Sequence, residues 1–387
     1  MRQLIFIFLW LTCFSCGQSN SGLSEYNFPR PEAPNVSKKT SEKYKDLSYR
    51  LDTMFLKMVK YSGFNGAIIV SKNGEVVYQK AFGIADKENK MPLTDSTMFQ
   101  LASVSKVVTA TAVLMLYEKG LIKLEDKFAT YFPEFPYPEI TIKHLLSHRS
   151  GLPNYLYFLN DVVCNKEMKL KNEDVYKLMC ERQPKIYLKP NQAFNYCNTN
   201  YALLALLVEK VSKKTFSNFL RDEIFLPLGM RNSGTILSMD IFEKSISKPY
   251  DARWKIIDAE AADFVVGDKS IYSTPYDLFL FSEALFQYKI LKAETQSIAF
   301  AAHSREKKLS NYGLGWRLHD FKDSVKKEVF HNGWWHGYRT AFHRRLRDRV
   351  TIVVLSNQLN RTAYQTYKIY QALAADTTKY NGEGDDD

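Results

Sequence analysis

The chain has 387 residues, 45% of them hydrophobic and 25% charged, which is typical of a globular protein with a sizeable core. A formal charge of +11 is one signature of nucleic-acid binding, but the lysines and arginines are spread along the chain and form no nucleic-acid motif. We therefore expect a solvated basic surface and no nucleic-acid partner. No cluster of cysteines and histidines has the spacing of a zinc site, so we expect no metal.

The N-terminus, residues 1–15, has the pattern of a lipoprotein signal peptide. Arg2 precedes an apolar run at 4–14 that is too short to span a bilayer comfortably. The run ends in Phe-Ser-Cys-Gly, and a small residue followed by cysteine resembles the cleavage site of bacterial lipoproteins. We expect Cys16 to become the lipidated N-terminus of a membrane-anchored protein of the bacterial cell envelope, with Cys13 as a weaker candidate. Ordinary secretion with cleavage nearby is the alternative.

A tether and a folded domain are predicted after the signal. Residues 16–40 are rich in Ser, Asn and Pro without periodicity, which predicts a flexible tether. We expect a folded domain at 41–378 and an acidic tail at 379–387. The odd number of remaining cysteines indicates no complete disulfide framework, and a bond between Cys164 and Cys180 stays open at this point.

The first half of the domain shows clear local signals. Hydrophobic periodicity predicts a helix at 44–59, with Ser41 as its N-cap. Two apolar runs follow, joined by an Asn-Gly pair at 73–74 that indicates a β-hairpin. An apolar helix then holds Ser103 in its first turn and ends at Gly120, a residue type common just after helices.

The rest of the chain predicts the fold class. The middle, at about 125–297, is mostly helical by pattern, and the last third returns to strands before a helix around 364–373. Strands at both ends with helices between them predict an α+β fold. We expect an antiparallel β-sheet flanked by helices, with an inserted, mostly helical subdomain.

Ser103 and Lys106 lie three residues apart and so share one helix face. A lysine takes the proton of a serine when burial or nearby positive charge lowers the lysine pKa towards neutrality. Val107 and Val108 beside Lys106 indicate such burial. We hypothesise that Ser103 is a nucleophile and Lys106 its base. In the alternative, Ser103 caps the helix and Lys106 is a surface residue.

Tyr196 and Asn198 precede a strongly apolar helix. A tyrosine beside a lysine can carry the serine proton to a leaving group, and an asparagine two residues on can hold a substrate carbonyl. The alternatives are an ordinary core tyrosine and an N-cap at Asn198 or Thr199.

The segment from His331 to Gly337 joins two predicted strands. Gly333 allows close backbone approach, and the amides of Trp334 and Ser103 are candidates for an oxyanion hole. His331 is a candidate hydrogen-bond donor or proton-transfer partner near neutral pH. A glycine-marked bulge with surface histidines is the alternative.

These motifs occur together in the order Ser-x-x-Lys, Tyr-x-Asn, His-x-Gly. In this the sequence resembles the serine β-lactamase-related hydrolases, which include class C β-lactamases, D-alanyl-D-alanine carboxypeptidases and serine esterases. The resemblance runs from about 45 to 375, with further matching stretches at 144–155, 272–281, 312–316 and 350–357.

The resemblance implies an active site between the sheet and the helical subdomain, and no cofactor. It implies an acylated nucleophile, a base, a proton shuttle and a substrate-amide contact, which are Ser103, Lys106, Tyr196 and Asn198 in that order. It places His331 and Gly333 where the family has Lys-Thr-Gly or His-x-Gly.

Two departures bear on the substrate. Histidine at 331 is a weaker partner for a substrate carboxylate than lysine, and the bulky Trp334 and Trp335 predict a narrow cleft. Both favour an esterase or a peptidase over a β-lactamase. We expect a serine hydrolase that acts through an acyl-enzyme on an ester or amide, with a peptide, a cell-wall fragment or a β-lactam-like molecule as substrate. The alternative is a catalytically silent protein of this fold that binds peptides or cell-wall fragments.

Overall fold

The structure is a computed structural model that describes residues 31–34, 36, 42–159, 168–241, 245–307, 310–319 and 327–374. The predicted signal peptide, the lipidation site at Cys16, the N-cap at Ser41, the Cys164 thiol and the acidic tail all lie outside the described residues.

The described domain begins and ends with a helix, and most of its strands lie in its first and last parts, with most of the helices between them. The strands are β1 (Gly66–Lys72), β2 (Glu75–Phe82), β3 (Ile84–Asp86), β4 (Met91–Pro92), β5 (Phe99–Gln100), β6 (Gly234–Thr235), β7 (Ile271–Ser273), β8 (Ser304–Lys307), β9 (Ser310–Tyr312), β10 (Arg317–His319), β11 (Glu328–Trp335), β12 (Tyr338–Arg345) and β13 (Val350–Ser356). The α-helices are α1 (Lys45–Ser62), α2 (Ser105–Glu118), α3 (Ile142–Leu146), α4 (Asn172–Arg182), α5 (Asn198–Ser212), α6 (Phe216–Leu220), α7 (Pro275–Phe286), α8 (Ala293–Ala299) and α9 (Thr366–Ala374).

The main sheet has eight strands in the order β2-β1-β13-β12-β11-β10-β9-β8. Each neighbouring pair is antiparallel. The first strand of the chain thus pairs with the last, with Gly66 opposite Ser356, and β2 pairs with β1 at the edge. This sheet with its helices confirms the predicted α+β class.

The β1–β2 connection confirms the predicted hairpin. Asn73 and Gly74 both have positive φ, at 53° and 81°. Two consecutive left-handed residues form the type of turn whose twist matches that of the flanking strands.

The outer side of the sheet packs against α1 mainly through hydrophobic side chains, with Asp52 of α1 accepting from Tyr78 and Lys80 of β2 at its edge. Leu47, Leu51, Phe55 and Met58 are buried, as their spacing predicted. The Phe55 ring stacks on Tyr78 of β2 at 5.7 Å between centroids and 4° between planes. The helix begins at Lys45 after a 3₁₀ turn, later than an N-cap at Ser41 would place it.

The other side of the sheet faces α2 and α7. Helix α2 is buried on all sides from Ser105 to Leu116, because it lies between the sheet and the helices that follow, chiefly α5. The chain between 125 and 297 holds α3 to α7 and the start of α8. It also holds β6 and β7, which form a small sheet with β5 beside the start of α2. None of the helices in the described ranges is long and apolar enough to cross a bilayer.

Candidate active site

Ser103 lies in a sharp turn between β5 and α2. The turn is a 3₁₀ helix, Ala102–Val104, and α2 itself begins at Ser105 with Val104 as its N-cap. Ser103 therefore precedes the α-helix and does not cap it. Ala102 has φ of 49°, a left-handed conformation that is strained for a residue with a Cβ atom. The strain marks a turn that is held in place by its surroundings.

Lys106 is fully buried, so the surface alternative for this residue is wrong. Its Nζ lies 3.2 Å from Ser103 Oγ, 2.8 Å from Asn198 Oδ1 and 2.7 Å from the main-chain oxygen of Asp268. The Lys106 amino group donates to all three oxygens, and the Asn198 side chain and the Asp268 carbonyl hold it against the serine hydroxyl.

Tyr196 completes the group around the serine. Its hydroxyl donates to Ser103 Oγ at 2.8 Å, and its ring centroid lies 5.0 Å from Lys106 Nζ. The tyrosine stands just before α5, whose N-cap is Cys197 in an extended conformation. Thr199 instead donates to the carbonyl of Pro153. The two capping residues considered for this helix, Asn198 and Thr199, thus both use their side chains elsewhere.

Asn198 approaches the lysine more closely than the sequence predicted. Its Oδ1 accepts a hydrogen bond from Lys106, so a contact with a substrate carbonyl falls to its Nδ2 amide. The contact orients both side chains.

His331 is fully buried beneath the site, and the surface alternative for it is wrong. Its Nε2 lies 3.1 Å from the Tyr312 hydroxyl and its Nδ1 lies 2.8 Å from the Asn332 oxygen. Burial, with the nearby cations Arg317 and Lys106, holds the pKa of His331 well below its ordinary value. His331 is therefore neutral near pH 7 and is no cationic partner for a carboxylate.

Arg317 is a cation beside the site that sequence reasoning missed. It lies on β10 opposite Phe330, and its guanidinium carbon is 5.5 Å from the Tyr196 ring centroid and 5.9 Å from that of Tyr312. Its only sequence signal was its place directly after Tyr-Gly-Leu-Gly-Trp.

Gly333 brings β11 against the turn that carries the serine. A Cβ atom there would lie 2.2 Å from Thr340 Oγ1, 2.5 Å from the Leu101 oxygen and 3.0 Å from Ala102 Cβ. This confirms the predicted close backbone approach. Any larger residue would force the strand away from the serine.

The two tryptophans of β11 lie on opposite faces of the sheet. Side chains alternate along a strand, so His331, Gly333 and Trp335 share the face towards Ser103 and Trp334 has the other. The Trp334 side chain is 68% exposed. Only the main chain of Trp334 lies beside the site. Of the two tryptophans, therefore, only Trp335 can narrow the cleft.

A second buried lysine stands next to the site and was also missed. Lys269 Nζ lies 3.1 Å from Asp268 Oδ2 and 4.6 Å from the Trp335 ring centroid. Asp268 is the residue whose main-chain oxygen binds Lys106. The sequence offered only an unremarked Asp-Lys pair before β7.

Two further expectations concern cysteines and metals. Cys180 and Cys197 are free thiols, and Cys164 lies outside the described residues. Within the described ranges no group of three or more His, Cys, Asp or Glu side chains is arranged to hold a metal ion.

The sheet, the buried helix and the serine at its start define a β-lactamase/transpeptidase-like protein. The sequence profile of the family described as Beta-lactamase matches residues 51–377, and the chain belongs to this family. Penicillin-binding protein 4* of Bacillus subtilis (strain 168) is 32% identical over 333 residues, which cover 81% of this chain and 73% of that protein. The resemblance seen in the sequence is thereby confirmed.

Two solved structures share the fold. A penicillin-binding protein from Bacillus halodurans has a TM-score of 0.73 at 22% identity, covering 82% of this chain and 98% of that chain. The D-amino acid amidase from Ochrobactrum anthropi SV3 has a TM-score of 0.70 at 21% identity, covering 86% of this chain and 99% of that chain.

Proposed function

We propose that this protein is a serine hydrolase that cleaves an ester or amide through an acyl-enzyme on Ser103. The observation that carries the proposal is the position of Ser103 Oγ, 3.2 Å from Lys106 Nζ and 2.8 Å from the Tyr196 hydroxyl. A serine needs a base within hydrogen-bond reach to become a nucleophile, and these two groups provide a base and a proton carrier.

In the acylation step, Lys106 takes the proton of Ser103 as Oγ attacks the carbonyl carbon. The bond to the leaving group then breaks. Tyr196 gives its proton to the leaving oxygen or nitrogen and regains one from Lys106. In deacylation, water attacks the ester, the same pair takes its proton, and Ser103 recovers its own.

The negative charge that develops on the carbonyl oxygen is assigned to two main-chain amides, those of Ser103 and Trp334. The close approach of Gly333 to the Ala102 turn supports this pairing. Fixed donors in a site without bulk water are among the strongest contributions to acyl transfer.

The substrate class rests on the carbonyl chemistry and on the relatives. One relative is named as a penicillin-binding protein and one fold neighbour as a D-amino acid amidase. We propose that the substrate is an ester or an amide of a peptide, cell-wall fragment or β-lactam-like molecule. The neutral His331 favours substrates that need no cation at that position.

The test is covalent labelling by a fluorophosphonate, a panel of activated esters and a penicillin, read by intact-protein mass spectrometry. We expect one adduct, on Ser103, together with ester turnover, and neither in Ser103→Ala. Folded protein that binds these compounds without adduct or turnover would mean a binding protein in place of an enzyme.

We also propose that the protein is held at a bacterial membrane by lipid on Cys16. The support is the apolar run followed by Ser-Cys-Gly. Cys16→Ser should move the protein from the membrane fraction to the soluble fraction and abolish labelling by a fatty-acid probe. Cys13→Ser is the control and should change neither. Lipid labelling that survives in Cys16→Ser contradicts the assignment.

A further inference from the structure

Lys269 is a buried cation that the mechanism above leaves without a role. It is 2% exposed, and its ammonium donates to the Tyr155 hydroxyl and to Asp268 Oδ2, the latter at 3.1 Å. Its Nζ also lies over the rings of Trp335 and Tyr155, at 4.6 and 5.1 Å. A buried charge is costly unless its contacts replace the water that it loses.

Lys269, Asp268, Tyr155 and Trp335 form a cluster, and one side of this cluster contacts Lys106, the proposed base. Asp268 accepts Lys106 through its main-chain oxygen at 2.7 Å and holds Lys269 through its carboxylate. Its other carboxylate oxygen, Oδ1, is buried without a hydrogen-bond partner in the described part of the chain. The Lys269 ammonium and the Tyr155 hydroxyl both donate to Oδ2, the hydroxyl at 3.2 Å, and Lys269 also donates to that hydroxyl. Lys269 is therefore the cation that holds this aspartate, and with it the carbonyl that orients Lys106.

The other side of the cluster reaches β11. The Trp335 ring covers Lys269, and its indole N–H donates to the Asp263 carboxylate. His336 Nε2 lies 3.0 Å from the same carboxylate. These contacts fix the end of β11, one residue beyond the Trp334 amide.

Several elements contribute titratable or charged groups around Lys106. In the described ranges these groups are His148, Tyr196, Cys197, Tyr201, Asp268, Lys269, Arg317 and His331.

Most of these groups are neutral near pH 7. Burial lowers the pKa of His148 and His331 well below the ordinary value, and it raises the pKa of the Cys197 thiol to about 11. The charged groups that remain are Asp268, Lys269 and Arg317. Of these, Asp268 contacts Lys106 directly, through its main-chain oxygen, and Lys269 is paired with the Asp268 carboxylate.

We propose that Lys269 is a positioning residue for acylation, which orients Lys106 through Asp268 and holds the oxyanion-hole end of β11 through Trp335. This inference rests on the proposed hydrolase function. It assigns a task to a residue that contacts no reacting atom.

The experiment measures the rate of Ser103 labelling by a fluorophosphonate against pH. In Lys269→Met the Asp268 carboxylate has lost its cation and favours the protonated form of Lys106. The pH midpoint of the labelling rate therefore rises by about one unit. In Asp268→Asn the cation stays alone and the midpoint falls by about one unit. The plateau rate of Lys269→Met falls about tenfold. Lys123→Met, which removes an exposed lysine, is the control and leaves the profile unchanged.

Opposite shifts in the two variants support the proposal, because a general loss of structure moves both profiles the same way. The proposal is overturned if the two pH midpoints shift in the same direction, or if neither midpoint shifts in variants that still unfold cooperatively. If either single variant fails to fold, the double variant Asp268→Asn with Lys269→Met removes both charges. It should keep the wild-type midpoint with the reduced plateau, and an unreduced plateau overturns the positioning role. Failure of the wild type to label at all overturns the proposed hydrolase function instead.

Discussion

The two sides of the main sheet hold opposite kinds of core. On the side of α1, Phe55 packs with Phe64 and Tyr78 in a cluster of hydrophobic and aromatic side chains. On the side of α2, Lys106 and Lys269 are buried among hydrogen-bond partners. The first side stabilises the fold through the area it removes from water, whereas the second depends on individual donors and acceptors. Substitutions on the α1 side should therefore lower stability, and substitutions on the α2 side should lower activity.

The largest effect is expected from Lys106→Met. The variant loses the proposed base, and kcat/KM for an activated ester should fall by about 10⁴-fold or more, as when a catalytic unit is broken. Lys106→Arg is the matched control, because it keeps the charge in a group that does not give up its proton. Both should be inactive in steady-state ester hydrolysis while their circular dichroism stays native. An active Lys106→Arg would mean that charge alone is needed.

The opposite outcome is expected from Phe55→Ala on the α1 side. Emptying this buried aromatic site should lower the free energy of unfolding by about 3–5 kcal/mol. Activity per folded molecule should stay unchanged, since the ring contacts of Phe55 in the described part of the chain are with Phe64, Tyr78 and Phe82, outside the proposed site. Urea unfolding followed by tryptophan fluorescence measures the loss. Leu56→Ala, at a position 49% exposed, should cost less than about 0.5 kcal/mol.

Gly333→Ala tests the contact between β11 and the turn that carries Ser103. The added Cβ meets the Leu101 oxygen and Thr340 Oγ1 and should push β11 from the serine turn. We expect kcat/KM to fall by about 100-fold, the usual cost of one oxyanion-hole donor. Gly120→Ala, where no atom lies within 4 Å of the new Cβ, should leave activity unchanged. Equal activity of Gly333→Ala and wild type would remove Trp334 from the oxyanion hole.

The smallest effect concerns pH. Burial keeps the pKa of His148 and His331 well below the ordinary value, so the folded protein does not take up their protons. The unfolded chain does so below about pH 6.5, and stability is therefore lost as the pH falls through that value. Each histidine should account for about 1 kcal/mol between about pH 7.5 and about pH 5.5. In urea titrations His331→Gln should show a smaller loss than wild type, and an identical pH slope would contradict the assignment.

Features set by neighbouring residues were predictable from the sequence. The hairpin depended on Asn73 and Gly74, and the closeness of Ser103 and Lys106 depended on helical spacing. Ser103 itself lies in a 3₁₀ turn before α2, because Ala102 adopts a left-handed conformation that no local pattern announces.

Features set by distant contacts were not predictable. Lys106 meets the Asp268 oxygen across 162 positions of sequence, and Tyr312 meets the His331 ring from another strand. His331 of β11 is buried, and comes close to Arg317 of β10, only once these two strands have paired in the folded sheet. Its charge state was therefore beyond the reach of a sequence motif.

The pairing of β1 with β13 has a consequence for biosynthesis. Ser71 pairs with Thr351 and Gly66 pairs with Ser356, so the middle of the sheet can form only after nearly the whole polypeptide has been made. A chain truncated before residue 350 would expose the β1 edge to other unfinished chains. Its serine turn would also lack the finished strands that hold Gly333 against it, and premature termination should yield aggregating and inactive fragments.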